Sequence, residues 1–168
     1  SQYRGQYSIL QIANNTTGPL NPANDNVVTA DTSKRPATHA QTGSLFGLSV
    51  QSKQERFFAS AVLKRASGFG PHGPGGVYMI SKAGAVWNFA GGFTLQGVSP
   101  SNGGLPLDFG SVTRVTSPAT NDNYISDNYI NTAPSGSDCR DMDAFSKATT
   151  ISYGDIEADP NSDKIYML

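Results

Sequence analysis

The chain has 168 residues, a length typical of one domain, and its 12 basic and 13 acidic residues leave a net charge of −1. This balance excludes the basic surface of a nucleic-acid-binding protein and a general attraction to anionic membranes, and no apolar run is long enough for a transmembrane helix. Charged residues make up 15% of the chain, against about 25% in ordinary soluble domains, and with 18 glycines and 10 prolines this predicts a turn-rich β-protein with an uncharged polar surface.

The first predicted region, residues 1–42, is one short strand followed by an irregular arm. Residues 7–12 (YSILQI) are apolar enough for a strand, whereas residues 14–41 are dominated by Asn, Thr, Pro, Asp and Ala. Asn14 and Asn15 begin two overlapping N-glycosylation triplets, which makes them candidate modification sites on the surface of a secreted protein.

Residues 43–89 predict a complete antiparallel meander of four strands joined by polar or glycine-containing turns. The strands are expected at 45–50, 56–63, 77–80 and 85–89. A loop rich in glycine and proline (SGFGPHGPGG) separates the second strand from the third. Because we expect both faces of this sheet to be covered, its apolar side chains should be mostly buried. They are Leu48, Val50, Phe58, Ala61, Val77, Met79, Val86 and Trp87.

A long connection, residues 90–152, follows the meander and far exceeds the usual length of a connection. A short helix is predicted at 141–147. The connection collects Asp and Asn residues, whose oxygens are the ligands that calcium prefers. A solvated acidic loop with no cofactor is the default interpretation, and calcium is the candidate cofactor. The candidate ligands are Asp122, Asp127, Asp138, Asp141 and Asp143.

The chain then repeats itself. Residues 156–167, the second unit, align without a gap on residues 48–59, the first unit. Apolar residues coincide at the first and third positions, and the polar turn has the same length. Glu55-Arg56 in the first unit and Asp163-Lys164 in the second precede a pair that ends in an aromatic residue. Repetition of a strand–turn–strand unit is typical of stacked β architectures.

The repeat sets the fold prediction. We expect an all-β protein built from antiparallel four-stranded meander blades, an N-terminal fragment of a β-propeller. Residues 43–89 would form the first complete blade and residues 153–168 the start of the second. Residues 7–12 would help to close the ring by joining its last blade. The alternative is a small β-sandwich of seven or eight strands.

Several short motifs between residues 38 and 80 carry a resemblance. They are Gly47-Leu48, the strand FASA at 58–61, Lys64-Arg65, and the loop GFGP at 68–71 that runs into GGVY at 75–78. The stretch resembles a propeller module of large secreted bacterial surface proteins, notably of Bacteroidetes, that also carry SdrD B-like or other immunoglobulin-like repeats. Residues 154–157 and 164–166 are similar to the opening of that family's next blade, whereas Ala66 stands where a His is usual.

The resemblance implies a secreted protein at the cell surface. It implies a non-enzymatic extracellular module for adhesion, surface display or assembly of a filament or appendage. Its partners would be the remainder of the same polypeptide, other subunits of a surface assembly, or glycans, with no nucleic acid and no membrane insertion. The alternative is a carbohydrate-binding or carbohydrate-active propeller, a lyase or glycosidase, which needs convergent carboxylates or an open aromatic such as Trp87.

Antiparallel geometry places the candidate site. The loop after the second strand and the long connection after the fourth should lie at the same end of the meander. Loops gathered on a rigid scaffold often form binding sites. The candidate ligand-binding residues are Lys64, Arg65, Phe69 and His72, facing the acids of the connection, and the alternative is a loop that only joins two strands. No catalytic residue is assigned, because the sequence lacks a nucleophile elbow, a P-loop and a zinc-protease motif.

Overall fold

A computed structural model describes residues 7–9, 35–64, 68–112, 142–148 and 150–168. These residues are mostly antiparallel β-sheet with little helix, and none of their helices is long and apolar enough to cross a membrane. The elements in chain order are β1 (Tyr7–Ile9), β2 (Ala37–Thr38), α1 (His39–Thr42), β3 (Leu45–Gln51), β4 (Arg56–Ala61), β5 (Gly76–Ala83), β6 (Val86–Thr94), α2 (Met142–Lys147), β7 (Ile156–Ala158) and β8 (Ile165–Met167).

The central element is a four-stranded antiparallel sheet in the order β3-β4-β5-β6, which confirms the predicted meander. The last two strands are longer than predicted. The turn between them is only Gly84-Ala85, with Gly84 at a φ of 63°, a backbone conformation that suits glycine in a two-residue hairpin. β6 then continues through Gly92, where a Cβ atom would lie 2.8 Å from Cδ1 of Tyr78. Glycine there lets the strand backbone approach the aromatic ring.

The N-terminal strand belongs to a small sheet of its own. β1 pairs with β2 in an antiparallel two-stranded sheet, with Tyr7 opposite Thr38 and Ile9 opposite Ala37. The Thr42 hydroxyl of α1 donates a hydrogen bond to Ser8 Oγ at 2.7 Å. Pairing with β2 uses one of the two edges of β1, so the expectation that this strand joins the last blade of a ring stays a prediction.

The two units of the repeat form hairpins with the same register. In the first unit Leu48 lies opposite Ala59, and in the second Ile156 lies opposite Met167. The next two pairs of each hairpin also correspond position by position. The second hairpin turns at Asp159, whose carboxylate accepts hydrogen bonds from the Asn161 amide at 2.8 Å and the Ser162 hydroxyl at 2.7 Å.

The second hairpin packs on one face of the four-stranded sheet. We call this the covered face; it carries Ser49, Gln51, Phe58 and Val77. The core here is a cluster of Phe58, Val77, Tyr153, Ile156 and Ala158, all at most 5% exposed. A second cluster, Ala61, Phe69 and Tyr78, lies toward the loop end of the sheet. The β7–β8 hairpin therefore contributes to the core of the sheet it covers.

The opposite side of the sheet near β3 is uncovered. We call this the open face; it carries Leu48 and Val50 of β3. Leu48 is 61% exposed and Val50 is 49% exposed, so the prediction that both are buried is wrong. No described element packs over them. Of the other side chains predicted to be buried, Phe58, Ala61 and Val77 are buried, and Met79, Val86 and Trp87 are half-buried.

Candidate functional site

The two connections predicted to share one end of the sheet do meet there, as expected. The loop between β4 and β5 contacts both the start and the end of the long connection. The Leu95 amide and the Tyr153 hydroxyl donate hydrogen bonds to the Gly75 carbonyl, at 3.1 Å and 2.9 Å. Val62 and Ser152 form an antiparallel bridge. The loop end of the sheet is therefore a layer of packed connections.

Phe69 contributes to this layer as a core residue. It is 6% exposed, packs with Ala61 and Tyr78, and pairs with Gly43 through a β-bridge. Gly43 has a φ of 66°, and a Cβ atom there would lie 2.1 Å from the Gly70 nitrogen. The chain entering β3 thus crosses the loop at a distance that only glycine permits.

Two of the three candidate cations of the loop, Lys64 and His72, lie among the described residues. His72 is half-buried with its ring centroid 5.7 Å from that of Tyr78. Lys64 is exposed. Burial lowers the pKa of the His39 imidazole, and the nearby positive charge of Lys64 lowers it further. Arg65 lies outside the described residues. The expected approach of His72 to the acids is absent among the described contacts.

The described acids of the connection serve its own local structure. Asp108 accepts hydrogen bonds from the Gln96 side chain and the Gly110 amide, both at 2.9 Å, which lower the pKa of its carboxyl. The side-chain oxygen (Oε1) of Gln96 in turn accepts a hydrogen bond from the Phe109 backbone amide at 2.8 Å. These bonds fold the segment after β6 back on itself. They place the Phe109 ring 4.5 Å from the ring of Tyr153.

Of the five candidate calcium ligands, only Asp143 lies among the described residues. Its carboxylate pairs with Lys147 Nζ at 3.0 Å, one turn along α2. Within the described part of the chain, no group of three or more His, Cys, Asp or Glu residues is placed to hold a metal ion. The other candidates lie outside that part, and so do both glycosylation candidates. They are Asp122, Asp127, Asp138, Asp141, Asn14 and Asn15.

A second set of polar contacts joins the two units across the covered face. Gln51 is fully buried and donates hydrogen bonds from its side-chain amide to the carbonyls of Asp159 and Ser162, at 3.3 Å and 2.9 Å. The Ser49 hydroxyl accepts the Ala158 amide at 2.6 Å. Polar groups buried on this face therefore find their partners in the second hairpin.

Charged side chains extend the same interface to the surface. Arg56 donates to the Asp163 carboxylate at 2.7 Å, and its Nε donates to the side-chain oxygen (Oε1) of Gln51 at 2.6 Å. Lys53 donates to the side chain of Asn161 at 2.9 Å. Arg56, the basic residue of the Glu55-Arg56 pair in the first unit, thus bonds to Asp163, the acidic residue of the equivalent pair in the second unit.

The contacts between the units also give their relative direction. Ser49 contacts Ala158, Gln51 contacts Asp159, and Lys53 contacts Asn161. Both partners advance along the chain together, so β3 and β7 run parallel to each other on facing sheets. Sequence reasoning placed Gln51 in a polar turn and missed its role. The only indication of that role in the sequence was that Gln51 directly follows a predicted strand inside the repeated unit.

Comparison of the chain with protein-family models, with curated proteins and with solved structures finds no match in any of the three.

Proposed function

We propose that this chain is a non-enzymatic structural module of an extracellular surface protein, in which blades of a β-propeller stack on one another. The observation that carries the proposal is the packing of the second unit on the first. The two hairpins share one register, their first strands run parallel, and equivalent or near-equivalent positions such as Gln51 and Asp159 touch. Blades related by rotation about a common axis meet in this manner.

The chemistry of the polar groups also favours a structural role. The buried side chains of Gln51 and Ser49 form their hydrogen bonds with the second unit. At the loop end, Tyr153 and Asp108 bond to the backbone and to Gln96. Polar groups used in this way hold connections and hairpins in place, as a structural module requires.

Placement at the cell surface is supported by the low charge and the Asn-, Thr- and Gly-rich composition, together with the resemblance to bacterial surface propellers. Adhesion, surface display and assembly of a filament are the roles that fit such a module. Each of them requires the folded chain to be accessible from outside the cell.

The test is antibody labelling of the cells that make the protein. Antibodies raised against the folded chain should label intact cells as strongly as permeabilised ones. An antibody against a cytoplasmic protein, which should label only permeabilised cells, is the control for cell integrity. Labelling that appears only after permeabilisation would contradict the proposed location and with it the surface function.

A further inference from the structure

Equivalent positions of the two units differ sharply in exposure. Leu48 of the first unit is 61% exposed, whereas Ile156 at the same position of the second is 1% exposed. Val50 is 49% exposed, whereas its equivalent Ala158 is 2% exposed. The second hairpin buries this side of itself against the first sheet. The first unit presents the same side, with larger apolar residues, to solvent.

The reverse holds on the other side of each hairpin. Ser49 and Phe58, on the covered face, are each 4% exposed. Their equivalents Glu157 and Tyr166 point away from the sheet, and Tyr166 is 56% exposed. The pair of units therefore ends in two different open surfaces: the open face at one end and the Glu157–Tyr166 side at the other. By the repeat, they are equivalent to the two surfaces that meet where the units touch: the open face to the Ile156–Ala158 side, and the Glu157–Tyr166 side to the covered face.

The charges at the two ends are complementary. Between the units, Arg56 of the first bonds to Asp163 of the second. The repeat gives Lys164 as the equivalent of Arg56 and Glu55 as the equivalent of Asp163. Both residues are exposed, and Glu55 currently bonds to Lys82 on the neighbouring strand. If the same contact were made once more, Lys164 of one chain would lie opposite Glu55 of the next.

We propose that the open face binds a second copy of this chain, which covers Leu48 and Val50 with its Glu157–Tyr166 side. The proposal rests on the stacking of units put forward above. The contact uses different surfaces on the two partners, so each added copy again leaves one end of each kind. Such head-to-tail association closes into a ring or continues as a filament.

The first test exchanges the charges. Glu55→Lys leaves lysines at both ends of a chain, and Lys164→Glu leaves glutamates at both ends. Each variant alone should need about tenfold higher concentration than the original chain to reach half association in sedimentation velocity. An equimolar mixture should recover the original association, because every contact then joins opposite charges. A mixture that associates no better than the separate variants would overturn the proposal.

The second test removes the apolar contact. Leu48→Asp should abolish association while leaving the urea midpoint of unfolding nearly unchanged, because Leu48 is largely exposed in the single chain. Leu105→Asp is the matched control: Leu105 is 88% exposed in the connection after β6, so association should persist.

Two outcomes would refute a second copy as the occupant. One is an original chain that stays monomeric at every concentration, which would leave a unit on another polypeptide as the occupant. The other is a Leu48→Asp variant that associates as well as the Leu105→Asp control. Neither result depends on where the protein resides in the cell, so the proposed surface function stands or falls separately through antibody labelling.

Discussion

Gln51 is a single residue on which the contact between the two hairpins depends. Its side chain is fully buried and satisfies groups on both sides, accepting from Arg56 and donating to the Asp159 and Ser162 carbonyls. A buried polar group is stable only when it is bonded, and each of these partners would lose a bond if it were removed. The contact therefore combines a hydrogen-bond network centred on this residue with the apolar core around Phe58 and Ile156.

Gln51→Ala should lower the free energy of unfolding by about 1–3 kcal/mol, because it leaves buried hydrogen-bonding groups without partners. Urea denaturation followed by tryptophan fluorescence is the measurement. Gln54→Ala, an exposed position three residues later, is the control and should change stability by less than about 0.5 kcal/mol. Equal effects of the two substitutions would mean that the Gln51 bonds do not stabilise the contact.

Tyr153 couples stability to alkaline pH. Burial raises the pKa of its hydroxyl to about 12. The usual pKa of a tyrosine hydroxyl is about 10. Between pH 10 and pH 12 the unfolded chain therefore loses this proton while the folded chain retains it. The unfolded state then binds fewer protons, so the free energy of unfolding falls as pH rises through this window.

Tyr153→Phe should flatten this fall, because the ring that replaces Tyr153 cannot ionise. At pH 7 the variant should be less stable by about 1 kcal/mol, since it loses the bond to the Gly75 carbonyl. The measurement is the urea midpoint at intervals between pH 7 and 12. Tyr166→Phe, at an exposed position, should retain the steep fall, and an identical slope in the original chain and Tyr153→Phe would count against the coupling.

At the scale of elements, the two hairpins are alike in register and unlike in what surrounds them. Ile156 and Leu48 occupy the same repeat position, yet only Ile156 is enclosed by the sheet of the other unit. Position in the unit sets which way a side chain points. The neighbouring element decides whether that side chain is buried.

Truncation to alanine should therefore destabilise the chain much more at Ile156 than at Leu48. Ile156→Ala should cost about 2–5 kcal/mol, because it opens a cavity in the core shared with Phe58 and Val77. Leu48→Ala should cost less than about 1 kcal/mol in a dilute, single-chain sample. The measurement is the free energy of unfolding from urea titration. Comparable losses at the two positions would mean that the β7–β8 hairpin is not docked as described.

The strands were predictable where apolar residues alternate, and less so where glycine enters them. The four-stranded order, the recurrence at 156–167 and the helix near 142–147 all followed from pattern. The extension of β6 to Thr94 did not, because Gly91 and Gly92 lower strand propensity. Gly92 lies against the Tyr78 ring, and Gly91 has a φ of 122°, a conformation that favours glycine. Packing against a distant side chain is not encoded in a local pattern.

The candidate site was predictable in location but not in its contacts. Strand parity alone places the loop and the connection at one end. The burial of Phe69 depends on its β-bridge to Gly43, which lies in close contact with the loop. These two segments are distant in the sequence, and no local pattern predicts that they pair. The burial of Gln51 likewise depends on a hairpin more than 100 residues away along the chain.

At the scale of the whole molecule, the described sheets differ in how many sides of each strand are paired. β4 and β5 have partners on both edges, whereas β7 and β8 form a two-stranded sheet with one partner each. The core clusters centre on Phe58, Val77 and Tyr78 of the doubly paired strands. Local opening should therefore be rarest in β4 and β5.

Hydrogen exchange measured by mass spectrometry should rank the strands accordingly. Peptides covering β4 and β5 should exchange slowest, and peptides covering β7–β8 should exchange sooner, because the hairpin can undock without breaking the four-stranded sheet. Gln51→Ala should accelerate exchange in β7–β8 and leave β5 unchanged. Slower exchange in β8 than in β5 would contradict this order.

The second hairpin docks on the first after a connection that runs from residue 95 to residue 155. The entropic cost of closing a chain segment grows only with the logarithm of its length, about 0.6 kcal/mol for each doubling. The contact between Gln51 and Asp159 is therefore nearly indifferent to how many residues separate the units. The connection after β6 can therefore change length in evolution at little cost to this contact, and the register of the two hairpins stays the same.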